Sequence, residues 1–189
     1  MDGLILFLII AIPILLLVII FFAWYISTLN RLRRYKIKVE EAESGIDVAL
    51  TKRFDLLNKM VQAVRSYVKH ERDTLESIVG LRQPGAGASI AEKQDCMDRL
   101  NSGFAQMRVI VENYPDLKAN TNFLKMQDAA RDVEENLQAS RRIYNSNVGR
   151  YNMAIAVFPS SIVAKRNNFE KLDMFKAEER KRQDVDLTV

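Results

Sequence analysis

Histidine and cysteine are almost missing from this chain of 189 residues, which has one of each, His70 and Cys96. A single cysteine closes no intrachain disulfide, so a reducing compartment suits the chain. A single histidine cannot supply the two Glu-x-x-His pairs of a carboxylate-bridged di-iron bundle. His70-Glu71 starts as the H-E-x-x-H zinc motif does, but Thr74 stands where the second ligand would fall. A nucleophile paired with a histidine base would have to use His70, and no nucleophile motif accompanies it. Cys96 lies between Asp95 and Asp98, away from the basic surroundings that activate a thiol. There is no Walker loop and no Gly-rich dinucleotide turn. These absences predict a non-enzymatic protein with no catalytic, cofactor or metal residues, and a structural or surface role for His70.

Glycine and proline are scarce as well, seven and four in number. No run alternates at the period of a strand for more than a few residues, so the class is all-α. Charge of one sign is also lacking in excess: 28 Lys and Arg stand against 24 Asp and Glu, for a net +4. A nucleic-acid binder gathers its basic residues on one face. No such stripe is visible, and nucleic acid is not an expected partner.

What the chain does have is one long apolar run. Gly3 to Ile26 is 24 consecutive residues without a charge. A bilayer core of about 30 Å takes roughly 20 apolar residues of helix, so this run can span one with some tilt. A signal peptide would show a basic segment before a shorter run and a small-residue cleavage site after it, and neither is present. A buried core helix would carry a polar face at helical spacing. Trp24 and Tyr25 stand at the end of the run, where aromatic belts lie. Pro13 is mid-span, a position membrane helices tolerate. Arg31, Arg33, Arg34, Lys36 and Lys38 follow, with no Lys or Arg before the span. The positive-inside bias then predicts residues 1–2 outside and the rest in the cytoplasm, as a single-pass protein of a cell inner membrane. The arginines can also touch anionic headgroups, which makes membrane lipid an expected partner.

The remaining 27–175 reads as one helical bundle, with a charged tail at 176–189. A long helix is predicted over 37–82, with nothing between Ser27 and Lys36 to break it from the span. Its apolar rows include Leu50, Leu57, Val64 and Ile78, and Phe54, Val61, Val68 and Leu75. Rows this broad suit a bundle core better than a two-stranded coiled-coil seam. Gln83 to Ala88 is a turn. Ser89 followed by Glu92 is a capping-box pattern, and Met97, Leu100, Phe104, Met107 and Val111 continue the helix it opens. Asn113-Tyr114-Pro115 ends that helix. Another long helix is predicted over 116–157, stopped by Phe158-Pro159. Ile162, Val163, Phe169, Leu172 and Phe175 read as a short helix and loop packing back. The expected fold is thus an N-terminal transmembrane helix followed by an elongated antiparallel bundle of long helices.

Some charges fall on or beside the apolar rows. Arg53 takes a core position, with Asp47 and Asp55 close by. A solvated face of intrahelical pairs explains these residues, each pair worth a few tenths of a kcal/mol. An interhelical network explains them too, and we favour it: a buried Arg53 needs an acid from the other long helix, such as Glu134 or Glu135. Arg141, Arg142, Tyr144 and Asn145 invite the same two readings. Such a network would set helix register.

Three blocks carry a resemblance that covers essentially the whole chain. The first is Ile46-Asp47-Val48-Ala49-Leu50-Thr51-Lys52-Arg53-Phe54-Asp55-Leu56-Leu57 with Ser66 to Glu71. The second is Tyr114-Pro115-Asp116-Leu117-Lys118-Ala119-Asn120 with Asn122-Phe123. The third is Glu135-Asn136-Leu137, Ser140 to Asn145, Tyr151 to Ile155, and Phe158-Pro159-Ser160-Ser161-Ile162-Val163-Ala164. In order and spacing these blocks resemble the LemA family of bacterial membrane-anchored helical proteins. The chain departs from the usual pattern at Asn58-Lys59, where the family has Pro-Asn, at Val39-Glu40, near a usual Arg-Asn pair, and at Asn168, where a Gly precedes the late Phe. The resemblance implies an antiparallel long-helix bundle on an N-terminal anchor, with the bundle cytoplasmic; it does not imply a reaction. The function expected is a scaffold that self-associates as a homo-oligomer and shapes or organises the membrane. The alternative is an adaptor for another membrane protein, such as a protease or envelope-stress component.

Overall fold

The computed structural model describes residues 2–68, 71–85 and 87–176. His70 and residues 177–189 of the tail lie outside them. The described residues form six helices and no strand: α1 (Asp2–Arg65), α2 (Arg72–Val79), α3 (Ile90–Asn113), α4 (Pro115–Lys118), α5 (Thr121–Ala156) and α6 (Ser160–Arg166). The all-α class is as the periodicity predicts. α1 is unbroken from the apolar run through the basic cluster to Arg65, with Pro13 inside it.

Where a helix end has a local chemical cause, the sequence locates it. Ser89 and Glu92 form both bonds of a capping box: Ser89 Oγ accepts from the Glu92 N–H, and a Glu92 carboxylate oxygen accepts from the Ser89 N–H at 2.7 Å. α3 ends at Asn113, before Tyr114-Pro115, and α5 ends before Phe158-Pro159.

Two ends differ from expectation. The helix predicted to reach Arg82 stops at Arg65 and resumes as α2. The Tyr67 N–H turns back to the Val64 carbonyl at 2.9 Å, and the Ser66 hydroxyl donates to the Ala63 carbonyl. The break lets Leu75 and Ile78 turn into the core, where both are buried. The helix predicted from Asp116 begins at Thr121, because Asn120 accepts from the N–H groups of Asn122 and Phe123 and caps it there. The turn before it stands apart as α4.

The chain divides into two compact units. The first comprises residues 1–40 and 146–172. In it α5 runs antiparallel to α1, since Asn147 donates to the Lys38 carbonyl while Ala154 and Ile155 pack about Leu32. Leu32, Val163 and Ala164 are its buried centre, with Trp24, Tyr25, Leu29 and Phe169 packed on them. α6 closes in a Schellman motif: the Phe169 N–H reaches the Ala164 carbonyl, the Asn168 N–H reaches that of Lys165, and Asn168 takes φ 53°.

The second unit comprises, of the described residues, those within 41–145 and 173–176. Its core gathers Ile46, Leu57 and Val64 of α1, Ile78 of α2, Leu100 and Met107 of α3, and Leu137 of α5. Ser140 lies beside Gly45 and Glu134 beside Arg53, so α1 and α5 are antiparallel here too. α3 runs parallel to α1, with Lys93 beside Glu43 and Asn101 beside Arg53.

Candidate functional site: a charge network in the second unit

Burial puts two cations among apolar side chains. Arg53, 5 % exposed, projects from α1 and reaches both neighbouring helices. Its guanidinium lies 2.6 Å from a carboxylate oxygen of Glu134 on α5 and donates to Asn101 of α3 at 2.6 Å. The Phe104 ring lies beneath it, 5.1 Å from its centroid. Lys93, 2 % exposed, projects from α3 and pairs with Glu43 at 2.8 Å and Asp47 at 2.7 Å, both on α1. A desolvated charge is costly unless it is paired, and these carboxylates pair both cations.

The network continues along α5. Glu134 accepts from Gln138 at 2.8 Å, and Gln138 accepts from Arg141 at 3.3 Å. Arg141 then donates to the Lys176 carbonyl at 2.6 Å and stacks over Phe175. Asn145 brackets Phe175, donating to its carbonyl and accepting from its N–H, each at 2.9 Å. The Tyr144 hydroxyl donates to the Asp173 carbonyl, and its ring meets Phe175 edge-on. The segment 173–176 is therefore held largely through its backbone. In the first unit Asn152 brackets Leu172 in the same bidentate way, and Tyr151 donates to the Glu170 carbonyl.

Burial by itself pulls the Lys93 ammonium down, but Asp47 and Glu43 more than reverse this and hold it above its ordinary value. Burial pushes the Tyr144 phenol up to about 12, helped by the charges of Glu43 and Asp173. Burial, then Glu170, raises Tyr151. Burial raises the Cys96 thiol, Arg99 pulls the other way, and Asp95 adds to the rise. A raised, buried thiol is a poor nucleophile at neutral pH. Among the described residues no group of three or more His, Cys, Asp or Glu could hold a metal ion. The chemistry this arrangement offers is positional: it fixes α1, α3, α5 and the 173–176 segment in one register.

Of the residues singled out from sequence, the network brings together Asp47, Arg53, Glu134, Arg141, Tyr144 and Asn145. Asp55, Glu135 and Arg142 are exposed and stand outside it. They lie one or two residues from Arg53, Glu134 and Arg141 in sequence, but a helix turns by about 100° per residue and carries them to other faces. Lys93 and Glu43 were missed. The available signal was that Lys93 lies four residues before Met97, on the apolar row of α3, the same kind of interruption that marks Arg53. In the first unit, Trp24 and Tyr25 are half-buried, and the Tyr25 hydroxyl accepts from Asn167 at 3.0 Å. Arg31, Arg33 and Arg34 are exposed.

The model of the LemA family matches residues 42–188. The chain belongs to the LemA family. It is also similar to the Protein LemA of Metamycoplasma hominis, with 27 % identity over 171 residues, which is 89 % of this chain and 78 % of that protein. The LemA match takes in every residue of the charge network, from Glu43 to Lys176. It begins after the apolar run, which belongs to the one helix among the described residues that is long and apolar enough to cross a membrane.

Proposed function

We propose that this LemA-family chain is a non-enzymatic, membrane-anchored structural protein that self-associates at the cytoplasmic face of a bacterial inner membrane and organises it. The observation that carries the reading is the continuity of α1. One 64-residue helix holds the apolar run, the basic cluster after it, and the network residues Glu43, Asp47 and Arg53. A side-chain network that spends its donors on register, on the same helix as the anchor, suits a load-transmitting part better than a catalyst. The apolar residues of the run, such as Phe7 and Leu17, are about two-thirds exposed and call for a lipid environment. The basic residues Arg31, Arg33 and Arg34 favour the cytoplasmic side. Val48 and Ile143 in the second unit are each more than half exposed, apolar surface that a second copy can cover.

The test is the mass of the full-length protein in mild detergent across a range of concentrations, with imaging of any large species. A regular multi-subunit species is expected. A monomer at every concentration overturns self-association and moves the weight to an adaptor for another membrane protein, to be sought by cross-linking in cells. Protease protection in vesicles of known sidedness checks the orientation.

A further inference from the structure

The corner between α5 and α6, in the first unit, exposes an unusual amount of apolar surface. Phe158 is 75 % exposed, Met153 67 %, Ile162 55 % and Val157 53 %. The corner is a built element. Ser160 donates its hydroxyl to the carbonyls of Ala154 and Val157, and the N–H groups of Ser161 and Ile162 reach the carbonyls of Val157 and Pro159. Its apolar side chains are thus held outward by a fixed backbone.

Its level along α1 is fixed as well. Asn147 bonds to the carbonyl of Lys38, and α5 runs antiparallel to α1 from there. Both helices rise about 1.5 Å per residue, so Val157 falls near the level of Thr28, which is buried, and Phe158 beyond it, toward Ile26. α6 packs Val163 and Ala164 on Leu32, and Asn167 is bonded to the Tyr25 hydroxyl. The corner therefore stands where the uncharged run ends and Trp24 and Tyr25 begin the aromatic belt. The exposed cations Lys165 and Arg166 precede Asn167 on α6, near the level of Tyr25, and Arg31, Arg33 and Arg34 lie further from the span on α1. Apolar residues at the tip with cations beside them and the α1 arginines behind is the order of an interfacial membrane contact.

We propose that the α5–α6 corner is a second membrane contact, with Val157, Phe158 and Ile162 inserted into the interface of the leaflet from which α1 emerges. The occupant of this apolar surface is lipid, and the basic residues behind it favour anionic headgroups. The proposal rests on the reading of residues 3–26 as a membrane span.

The test uses the full-length chain, with Cys96→Ala as background, in vesicles of phosphatidylcholine and phosphatidylglycerol. Nitroxide labels are placed singly at Phe158→Cys, Ile162→Cys, Ile14→Cys and Val109→Cys, all exposed positions. Collision with oxygen and with a water-soluble nickel chelate then measures depth. Labels at 158 and 162 are expected to be rich in oxygen and poor in nickel, at a depth of about 5–10 Å, and shallower than the label at 14. Nickel access at 158 and 162 equal to that at 109, with 14 still deep, overturns the second contact and leaves the span intact. Shielding of 158 from both probes also overturns it, since protein and not lipid would cover the corner. A label at 14 open to nickel removes the span, and this proposal with it.

Discussion

At the scale of single residues, the two buried cations differ in how much each can lose. Arg53 has partners on two helices, and Glu134 is a third exposed. Arg53→Ala is expected to destabilise the second unit by about 3–5 kcal/mol, the usual cost of breaking a buried pair from one side. The double variant Arg53→Met, Glu134→Leu removes both charges and is expected to recover most of that loss. Chemical denaturation of the full chain in detergent, followed by helical circular dichroism, measures both. Asn168 is a different case, since its constraint is backbone. It sits at φ 53° in the Schellman close of α6. Asn168→Gly is expected to leave stability within a few tenths of a kcal/mol. Asn168→Val places a β-branched side chain in the left-handed region and is expected to cost about 1–2 kcal/mol. Equal stability of the two variants would mean that this turn is not under conformational strain.

At the scale of elements, two helical glycines should respond in opposite directions to the same change. A methyl group at Gly45 of α1 would find only the Ser140 hydroxyl, 4.0 Å away. Gly45→Ala is therefore expected to stabilise by up to about 1 kcal/mol, through helix propensity alone. At Gly103 of α3 the same methyl would lie 2.9 Å from Leu57 and 3.4 Å from Leu81. Leu57 is 1 % exposed and packed on all sides, so Gly103→Ala is expected to cost about 1–3 kcal/mol despite its propensity gain. Thermal unfolding of the two variants beside the parent gives the signs directly. The same contrast between local and tertiary causes explains what was legible in the sequence. The ends of α3 and α5 carry their own chemistry in Ser89 with Glu92, in Tyr114-Pro115 and in Phe158-Pro159. The end of α1 at Arg65 has no Gly or Pro near it. It is set by the burial of Leu75 and Ile78 in α2, and its trace in sequence is only that Glu71 interrupts the row of Leu50, Leu57, Val64 and Ile78 there. The start of α5 was misplaced by one turn because Asn120 acts as a cap four residues inside an otherwise helical pattern.

At the scale of the whole molecule, the parts of the network legible in sequence were those that interrupt a pattern. Arg53 on an apolar row demanded an acid from another helix, and Lys93 on the row of Met97 carries the same signal. The contacts to 170–176 had no such trace, because Tyr144, Asn145, Arg141, Tyr151 and Asn152 grip backbone atoms that every residue has. The burial of Tyr144 and Tyr151 and the pairing of Lys93 have a consequence that titration can measure. Lys93, Tyr144 and Tyr151 all have values raised above the ordinary one. For each, the unfolded chain releases its proton first as pH rises, so the stabilisation is complete below the ordinary value, 10.5 for the lysine and 10.0 for the tyrosines, and is lost above it. For Tyr144 the rise to about 12 corresponds to roughly 3 kcal/mol, drawn down between pH 10 and 12. We therefore expect stability in detergent to hold through the neutral range and to fall steeply above about pH 10. Tyr144→Phe should cost about 1 kcal/mol at neutral pH, for the lost bond to the Asp173 carbonyl, and should flatten the alkaline fall. Lys93→Met should flatten it from the lysine side without removing the tyrosine contribution. Tyrosinate absorbance recorded together with helical circular dichroism separates ionisation from unfolding. If Tyr144→Phe lowers stability equally at every pH, then its hydroxyl contributes only a hydrogen bond, and the alkaline limit of the second unit lies with Lys93.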